Sequence, residues 1–267
     1  MRRWIRTIAI VLNALFPFML PMANAYRGGR LFRGVVAFIR DKWRYNRLMA
    51  DSRSPVPFPI QAINYYPNFL DRYEPAGRVP RHYFLQDIWA AKKVFQSGVD
   101  NHYDIGSRLD GFIAHCLAFT KVTMLDIRPL PYSIQDLRFI ECDCTNMAGI
   151  ASESLMSLST LHAMEHVGLG RYGDPVDPEG YVKAINEIQR VVARGGNLYF
   201  TLPIGRQRVE FNSHRVFDPM YIVALFDTLQ LVGFSAINDR DEFVENARLD
   251  GFGDASYSCG LFHFRKP

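Results

Sequence analysis

Tyr103-Asp104-Ile105-Gly106-Ser107 and, about twenty residues on, Val122-Thr123-Met124-Leu125-Asp126 are short apolar runs that each close on an acidic residue. Such runs are expected where strands of a parallel sheet deliver carboxylates to one edge, because ligands of open α/β sheets bind outside the carboxyl ends of the strands. A glycine after the first strand lets the backbone approach a ligand closely, and a carboxylate at the tip of the second can accept hydrogen bonds from ribose hydroxyls. From residue 99 onward, strand and helix patterns alternate, which argues for βαβ units. Strands are predicted at 102–105, 121–126, 139–142, 155–161, 196–202, 235–238 and 258–264, and helices at 111–119, 181–192 and 219–231. The expected fold is α/β, a seven-stranded, mostly parallel sheet with flanking helices and an N-terminal helical extension. No convincing helix separates the last two strands, so an antiparallel final hairpin fits.

The chain is 48% hydrophobic and 22% charged, a balance that excludes disorder as its dominant state. Its net charge of +4 conceals an asymmetry. Residues 1–50 hold ten Lys or Arg against Asp41 alone, whereas the remainder holds 21 basic and 26 acidic residues. Trp4, Phe16, Phe18, Tyr26, Phe32, Phe38, Trp43 and Tyr45 interleave with those charges, a composition suited to the headgroup region of an anionic membrane. RNA is the other polyanion to consider, but nucleic acid is not the expected partner. Arg2-Arg3, the run Ile8–Ala25 and its closing Ala23-Asn24-Ala25 imitate a secretory signal. Asn13, Pro17 and Pro21 interrupt that run, which falls short of the roughly 20 clean apolar residues of a spanning helix. An interfacial anchor is therefore expected, with a helix packed on the domain as the plain alternative.

Cys116, Cys142, Cys144 and Cys259 form no CxxC pair and no disulfide framework, so reduced thiols and a cytoplasmic location are expected, peripheral on the membrane if the anchor operates. The Pro-rich break at 55–59 leads to a division into 1–50, 51–79 and 80–267. Ahead of the first strand, Phe84-Leu85, Ile88-Trp89, Ala91 and Val94-Phe95 recur at helical spacing up to Ser97-Gly98. Phe84 and Trp89 there are either a lid over a ligand or the packed face of the helix.

Asp104-Ile105-Gly106-Ser107-Arg108-Leu109-Asp110-Gly111 resembles the first motif of the Rossmann-like, class I S-adenosylmethionine-dependent methyltransferases, with Arg108 and Asp110 where the family has its second and third glycines. Asp126 sits where that superfamily places the acid for the ribose hydroxyls, and Glu141-Cys142-Asp143 resembles the third-strand motif whose acid contacts the adenine amino group. Gly195-Gly196-Asn197-Leu198-Tyr199-Phe200, after the 181–192 helix, resembles the family's helix, Gly-Gly turn and fifth strand. The resemblance implies a Rossmann-like fold, S-adenosyl-L-methionine as cofactor, and Asp104, Gly106, Ser107, Asp126, Ile127, Asp143 and Cys144 as the residues that hold it. From about residue 80 the chain also looks like an uncharacterised conserved family first noted in nematodes, which implies a fold and no substrate. A dinucleotide dehydrogenase uses similar glycine and acid logic, but Asp110 beside a pyrophosphate would be repelled.

His162-Ala163-Met164-Glu165-His166 matches HxxEH, an inverted zinc-protease spacing, although here it leaves a strand of a Rossmann-like series. It is closer to the Glu-x-x-Glu-His of metal-assisted O-methyltransferases, with His214-Arg215-Val216-Phe217 similar to their later His before Phe. That likeness makes His162, Glu165, His166 and His214 candidate ligands of a divalent metal, and three nitrogens with one carboxylate favour a borderline metal over magnesium. Alternatively His162 or His166 is a metal-free general base. Methyl transfer to a hydroxyl needs proton removal, a task that suits a histidine. The expected function is therefore O-methylation of a small-molecule or glycan acceptor, saccharide or lipid-linked. The alternative is a non-catalytic binding or scaffold protein with a degenerate cofactor pocket. The acidic loop 172–180 is either a substrate rim or a plain solvated turn.

Overall fold

In the computed structural model, residues 19–50, 67–74, 76–77 and 81–267 are described, with side chains from residue 28 onward. The chain divides into two compact units, Met1–Arg78 and Val79–Pro267. The run Ile8–Ala25 and the segment 51–79 lie largely outside the described residues.

The first unit is built on α1 (Met19–Ala50). Gly34 is required where the helix meets Phe69, because a Cβ there would stand 2.0 Å from the Phe69 carbonyl oxygen. Phe38 packs edge-on against Phe69 at 5.6 Å. Asp41 is paired with Arg40 and Arg72, and the side-chain hydrogen bond from Arg40 heads the causes that hold its carboxyl below the usual range. Phe32, Val36, Ile39 and Trp43 follow one another at steps of four, three and four, so they share a helix face, and all are exposed. Among the described residues, no helix is long and apolar enough to cross a membrane.

The second unit opens with α2 (Arg81–Ser97), which stops at Gly98 with φ +65°. Then follow β1 (Asn101–Ile105), a π-helical turn (Leu109–Ile113) running into α3 (Ala114–Leu117), β2 (Lys121–Asp126), β3 (Leu137–Glu141) and β4 (Leu155–Leu161). The chain continues with α4 (Gly180–Val191), β5 (Val192–Ile204), β6 (Arg208–Glu210), β7 (His214–Val216), α5 (Pro219–Leu225), β8 (Gln230–Ile237), β9 (Phe243–Val244) and β10 (Ser258–Arg265). One sheet runs β3-β2-β1-β4-β5-β10-β8-β9, parallel from β3 to β5, with β10 antiparallel to both β5 and β8. Strands β2 and β4 are buried on both faces, as expected in the middle of a sheet with helices on both sides. One apolar layer joins the sheet to α4 and α5 through Ala184, Ile185, Ile188 and Ile222. The other joins it to α2 and α3 through Trp89, Ala90, Val94 and Cys116.

The predicted α/β architecture holds, with four differences. The sheet has an eighth strand, the two-residue edge strand β9, and β6 pairs with β7 in a separate hairpin. The helix predicted over 219–231 ends at Leu225, because the Thr228 N–H and hydroxyl donate to the side-chain oxygen of Gln189 and turn the chain into β8. The helix predicted over 111–119 begins as the π turn; a Cβ on Gly111 would meet the Asp87 carboxylate at 2.2 Å, so this turn approaches α2 closely.

Candidate functional site

Strand order reverses between β1 and β4, and a cavity of about 430 Å³ opens there, outside the carboxyl ends of the parallel strands. Gly106, after β1, lines it with φ +68°; a Cβ would stand 3.1 Å from that of Ala163, so both backbone conformation and space select glycine. Ser107, Asp126, Ile127, Asp143 and Cys144 line the same cavity, as do His162 and His166. Eight residues at or just beyond the ends of four strands thus meet on one space.

Asp104 does not join them. Its carboxylate is fully buried, accepting from the Ser107 N–H (2.9 Å), the Ser107 hydroxyl (2.6 Å) and the Ser159 hydroxyl. Burial raises its pKa to about 6, against those hydrogen bonds. Its part is to fix the turn: Ser107 Oγ in turn accepts from the Leu161 N–H at the end of β4 (3.0 Å). Below it, Ser159 also meets His102 Nε2 at 2.8 Å, and His102 Nδ1 meets Ser157 at 2.7 Å. Because Ser159 donates to Asp104, it must accept from His102 Nε2–H, which leaves Nδ1 to accept from Ser157. Burial alone lowers the His102 pKa to about 3, so this imidazole is neutral.

Asp126 is 8% exposed, with its oxygens turned to Arg128. The Arg128 backbone N–H (2.9 Å) and Nε (3.0 Å) donate to Oδ1, and Nη2 donates to Oδ2 (2.8 Å). The same guanidinium lies 4.5 Å from the centre of the Tyr172 ring, across the cavity lining. Asp143 Oδ1 accepts from the N–H and hydroxyl of Thr145, both at 2.8 Å. No described residue donates a hydrogen bond to its Oδ2.

At the end of β4, His162 takes a left-handed backbone (φ +51°), unusual for a residue with a Cβ and typical of functional turns. Its Nδ1 lies 2.7 Å from Glu165 Oε1, and its Nε2 is buried with no hydrogen-bond partner. Burial disfavours its charge, yet Cys259 and Glu165 beside it hold the pKa well above the ordinary value. His166 behaves oppositely: burial lowers its pKa, against the pull of Glu165. Its Nδ1 donates to the Ser213 carbonyl (2.7 Å), which leaves the lone pair on Nε2.

The four-ligand metal set expected from the sequence is not assembled. His166 Nε2 stands 3.6 Å from Glu165, His214 Nδ1 meets Ser213 Oγ at 2.8 Å, and Glu165 approaches His162 on Nδ1. Among the described residues, the one group of three or more potential ligand atoms within 4.8 Å of one another is His82, His162 and Cys259.

Residues 136–252 match the family model described as "Caenorhabditis protein of unknown function, DUF268". Among curated proteins, none matches the sequence. The Burkholderia thailandensis 1,6-didemethyltoxoflavin-N1-methyltransferase, solved with bound 1,6-didemethyltoxoflavin and S-adenosylhomocysteine, is similar in structure with a TM-score of 0.51 and 13% identity over 68% of this chain and 79% of that one. The [4+2]-cyclase SpnF is similar at a TM-score of 0.51 and 13% identity, over 68% of this chain and 80% of its own. This chain has the class I methyltransferase fold. Within that fold, the cyclase shows that the scaffold by itself does not name a reaction.

Several residues of this methyltransferase-fold cavity lie beyond the sequence expectations. Tyr83 on α2, Arg128 after β2 and Tyr172 in the acidic loop all line it, and Asp174, Pro175 and Asp177 bring that loop to its rim. Phe84 is 44% exposed and Trp89 is packed in the core, and neither lines the cavity. The helical period carried the signal: His82, Gln86, Ala90 and Val94 recur every four residues and are all buried, with polar residues at the end near the cavity.

Proposed function

We propose that the protein is an S-adenosylmethionine-dependent methyltransferase acting on the hydroxyl of a small acceptor. One observation carries this reading: Gly106, Asp126 and Asp143, from the ends of the first three strands, converge on a single cavity at the reversal of strand order. When bound, S-adenosylmethionine supplies a methyl group already activated by its sulfonium. The chain then has to orient the reactants, exclude water and take up a proton. Gly106 gives the nucleoside close backbone approach, Asp126 accepts from the ribose diol, and Asp143 Oδ2 is free to accept from the adenine amino group. His166 is the base: neutral, on the cavity lining, with its lone pair fixed on Nε2 by the Ser213 carbonyl. His162, protonated beside Glu165 when no metal is present, stabilises negative charge rather than accepting a proton.

Binding of the ribose requires Arg128 to release Asp126, since a carboxylate offers about four acceptor positions and Arg128 takes three. The same pairing favours the second reading, a pocket that has lost its cofactor. Calorimetry decides between them. Two charge-assisted hydrogen bonds at about 1.5–3 kcal/mol each, less the broken Arg128 pair, predict at least a tenfold loss of S-adenosylhomocysteine affinity in Asp126→Ala. No binding to the wild type leaves the scaffold reading.

A saccharide or lipid-linked acceptor fits a protein held at a membrane. Support for that position comes from the exposed stripe Phe32, Val36, Ile39 and Trp43, with Arg33, Arg40, Arg44 and Arg47 on the same helix, a composition that suits anionic headgroups. The functional division follows: residues 1–50 as anchor, 51–79 as linker, and 80–267 as the catalytic domain on the cytoplasmic side.

A further inference from the structure

We infer that His82, His162 and Cys259 form a binding site for a borderline divalent transition metal of the zinc type. Three distant parts of the chain meet there for topological reasons. β4 runs toward the cavity and ends at Leu161, so His162 lies just beyond its tip. β10 is antiparallel to β5, so Cys259, opposite Pro203, enters the sheet at the same edge. His82 comes from the first turn of α2.

The donor set is two imidazoles and one thiol, the combination that zinc and its neighbours prefer over oxygen-seeking magnesium or calcium. All three residues are buried, at 4%, 8% and 0% exposure for His82, His162 and Cys259. Their ligand atoms lie within 4.8 Å of one another. The His82 and His162 rings stack at 5.6 Å with an interplanar angle of 16°.

His162 is prepared for the ligand. Its Nδ1 is held by Glu165 Oε1 at 2.7 Å, which directs Nε2 away as the free donor atom, and Nε2 has no other hydrogen-bond partner. A carboxylate on the far nitrogen of a ligating histidine fixes its tautomer and raises its basicity. This explains a buried carboxylate–imidazole pair on a strained turn better than a packing role does, because packing alone would leave Nε2 unsatisfied at a cost of about 1–3 kcal/mol.

Three protein ligands leave a fourth position for water or an acceptor oxygen, and His162 lines the cavity. That the metal lowers the pKa of an acceptor hydroxyl rests on the transferase reading; metal occupancy does not. The test therefore reads occupancy. Full-length protein purified without an affinity tag and stripped by chelator is titrated with Zn²⁺ against a chromophoric competitor, and separately loaded with Co²⁺.

One equivalent of zinc and a thiolate-to-cobalt charge-transfer band are expected. Cys259→Ser should abolish the band, His82→Ala should weaken zinc at least tenfold, and Glu165→Gln should weaken it by about 10–100-fold. Near-ultraviolet circular dichroism of each metal-free variant checks folding. The wild-type cobalt spectrum decides even if a variant does not fold. No zinc uptake by the wild type, a cobalt complex without the thiolate band, or full zinc affinity in folded Cys259→Ser overturns the proposal.

Discussion

Arg128 supplies the sharpest test of the cofactor site, because its removal should improve binding rather than harm it. Its side chain gives Asp126 two of three hydrogen bonds, Nε to Oδ1 at 3.0 Å and Nη2 to Oδ2 at 2.8 Å. The Arg128 side chain is 50% exposed and the Asp126 side chain 7%, so solvent screens one partner, and the pair is worth about 1 kcal/mol. A ribose diol that claims these oxygens must first displace the guanidinium. In Arg128→Met that step is gone, and at 1.4 kcal/mol per decade the affinity for S-adenosylhomocysteine should rise about fivefold. Isothermal titration at two salt concentrations is the assay. Added salt should strengthen wild-type binding by screening the competing pair and leave the variant nearly unchanged. The variant should also lose up to about 1 kcal/mol of stability, through the ion pair and the Tyr172 contact. A weaker variant would mean that Arg128 holds the ligand instead of competing with it. An unchanged affinity would mean that the nucleoside never reaches Asp126.

Replacing His166 by alanine should cut turnover by about 10²–10⁴-fold, with cofactor affinity within about twofold, measured as S-adenosylhomocysteine formed with a competent hydroxyl acceptor. Because burial lowers the His166 pKa, the acid limb of kcat/KM should fall below the ordinary 6.5; a limb above it would point to another base. His102 has its pKa depressed from 6.5 to about 3, so it contributes stability above pH 6.5 that is lost as pH falls toward 3. Asp87 and Asp104, raised to about 6 by burial, act in the opposite sense, so the wild-type curve mixes both slopes. The stability gap between wild type and His102→Gln isolates the histidine; between pH 6.5 and 4.5 it should narrow by roughly 2–3 kcal/mol, and a constant gap would contradict the assignment. Flotation with anionic liposomes should carry the full chain and leave behind a protein lacking residues 1–50; co-flotation of both would remove the anchor.

The fold was legible because its signals are local. β2 and β4 have the predicted limits, since both are short, largely buried stretches of strand-forming residues bounded by polar turns. Gly106 and Asp126 were legible for the same reason, as each follows or closes its own strand. What escaped depends on partners far away in the chain. Asp104 reads as a ligand group in sequence, yet Ser159, 55 residues on, claims its oxygen inside the sheet. His82 and Cys259 flank the domain and carry no motif, so only the antiparallel entry of β10 and the first turn of α2 bring them to His162. The short elements β6, β7 and β9 were missed because two or three residues hold too little periodicity to register.

The chain of contacts Ser157–His102–Ser159–Asp104–Ser107 has a consequence for how accurately the cavity is made. Apolar strands can slide past one another by two residues and still bury the same kind of surface. Here such a slide would strand a carboxylate and an imidazole inside the protein without mates, so β1 and β4 are keyed like the teeth of a zip. The level at which the two strands finish, and with it the gap between Gly106 and His162, is thereby fixed from inside the sheet rather than by whatever molecule later occupies the space above.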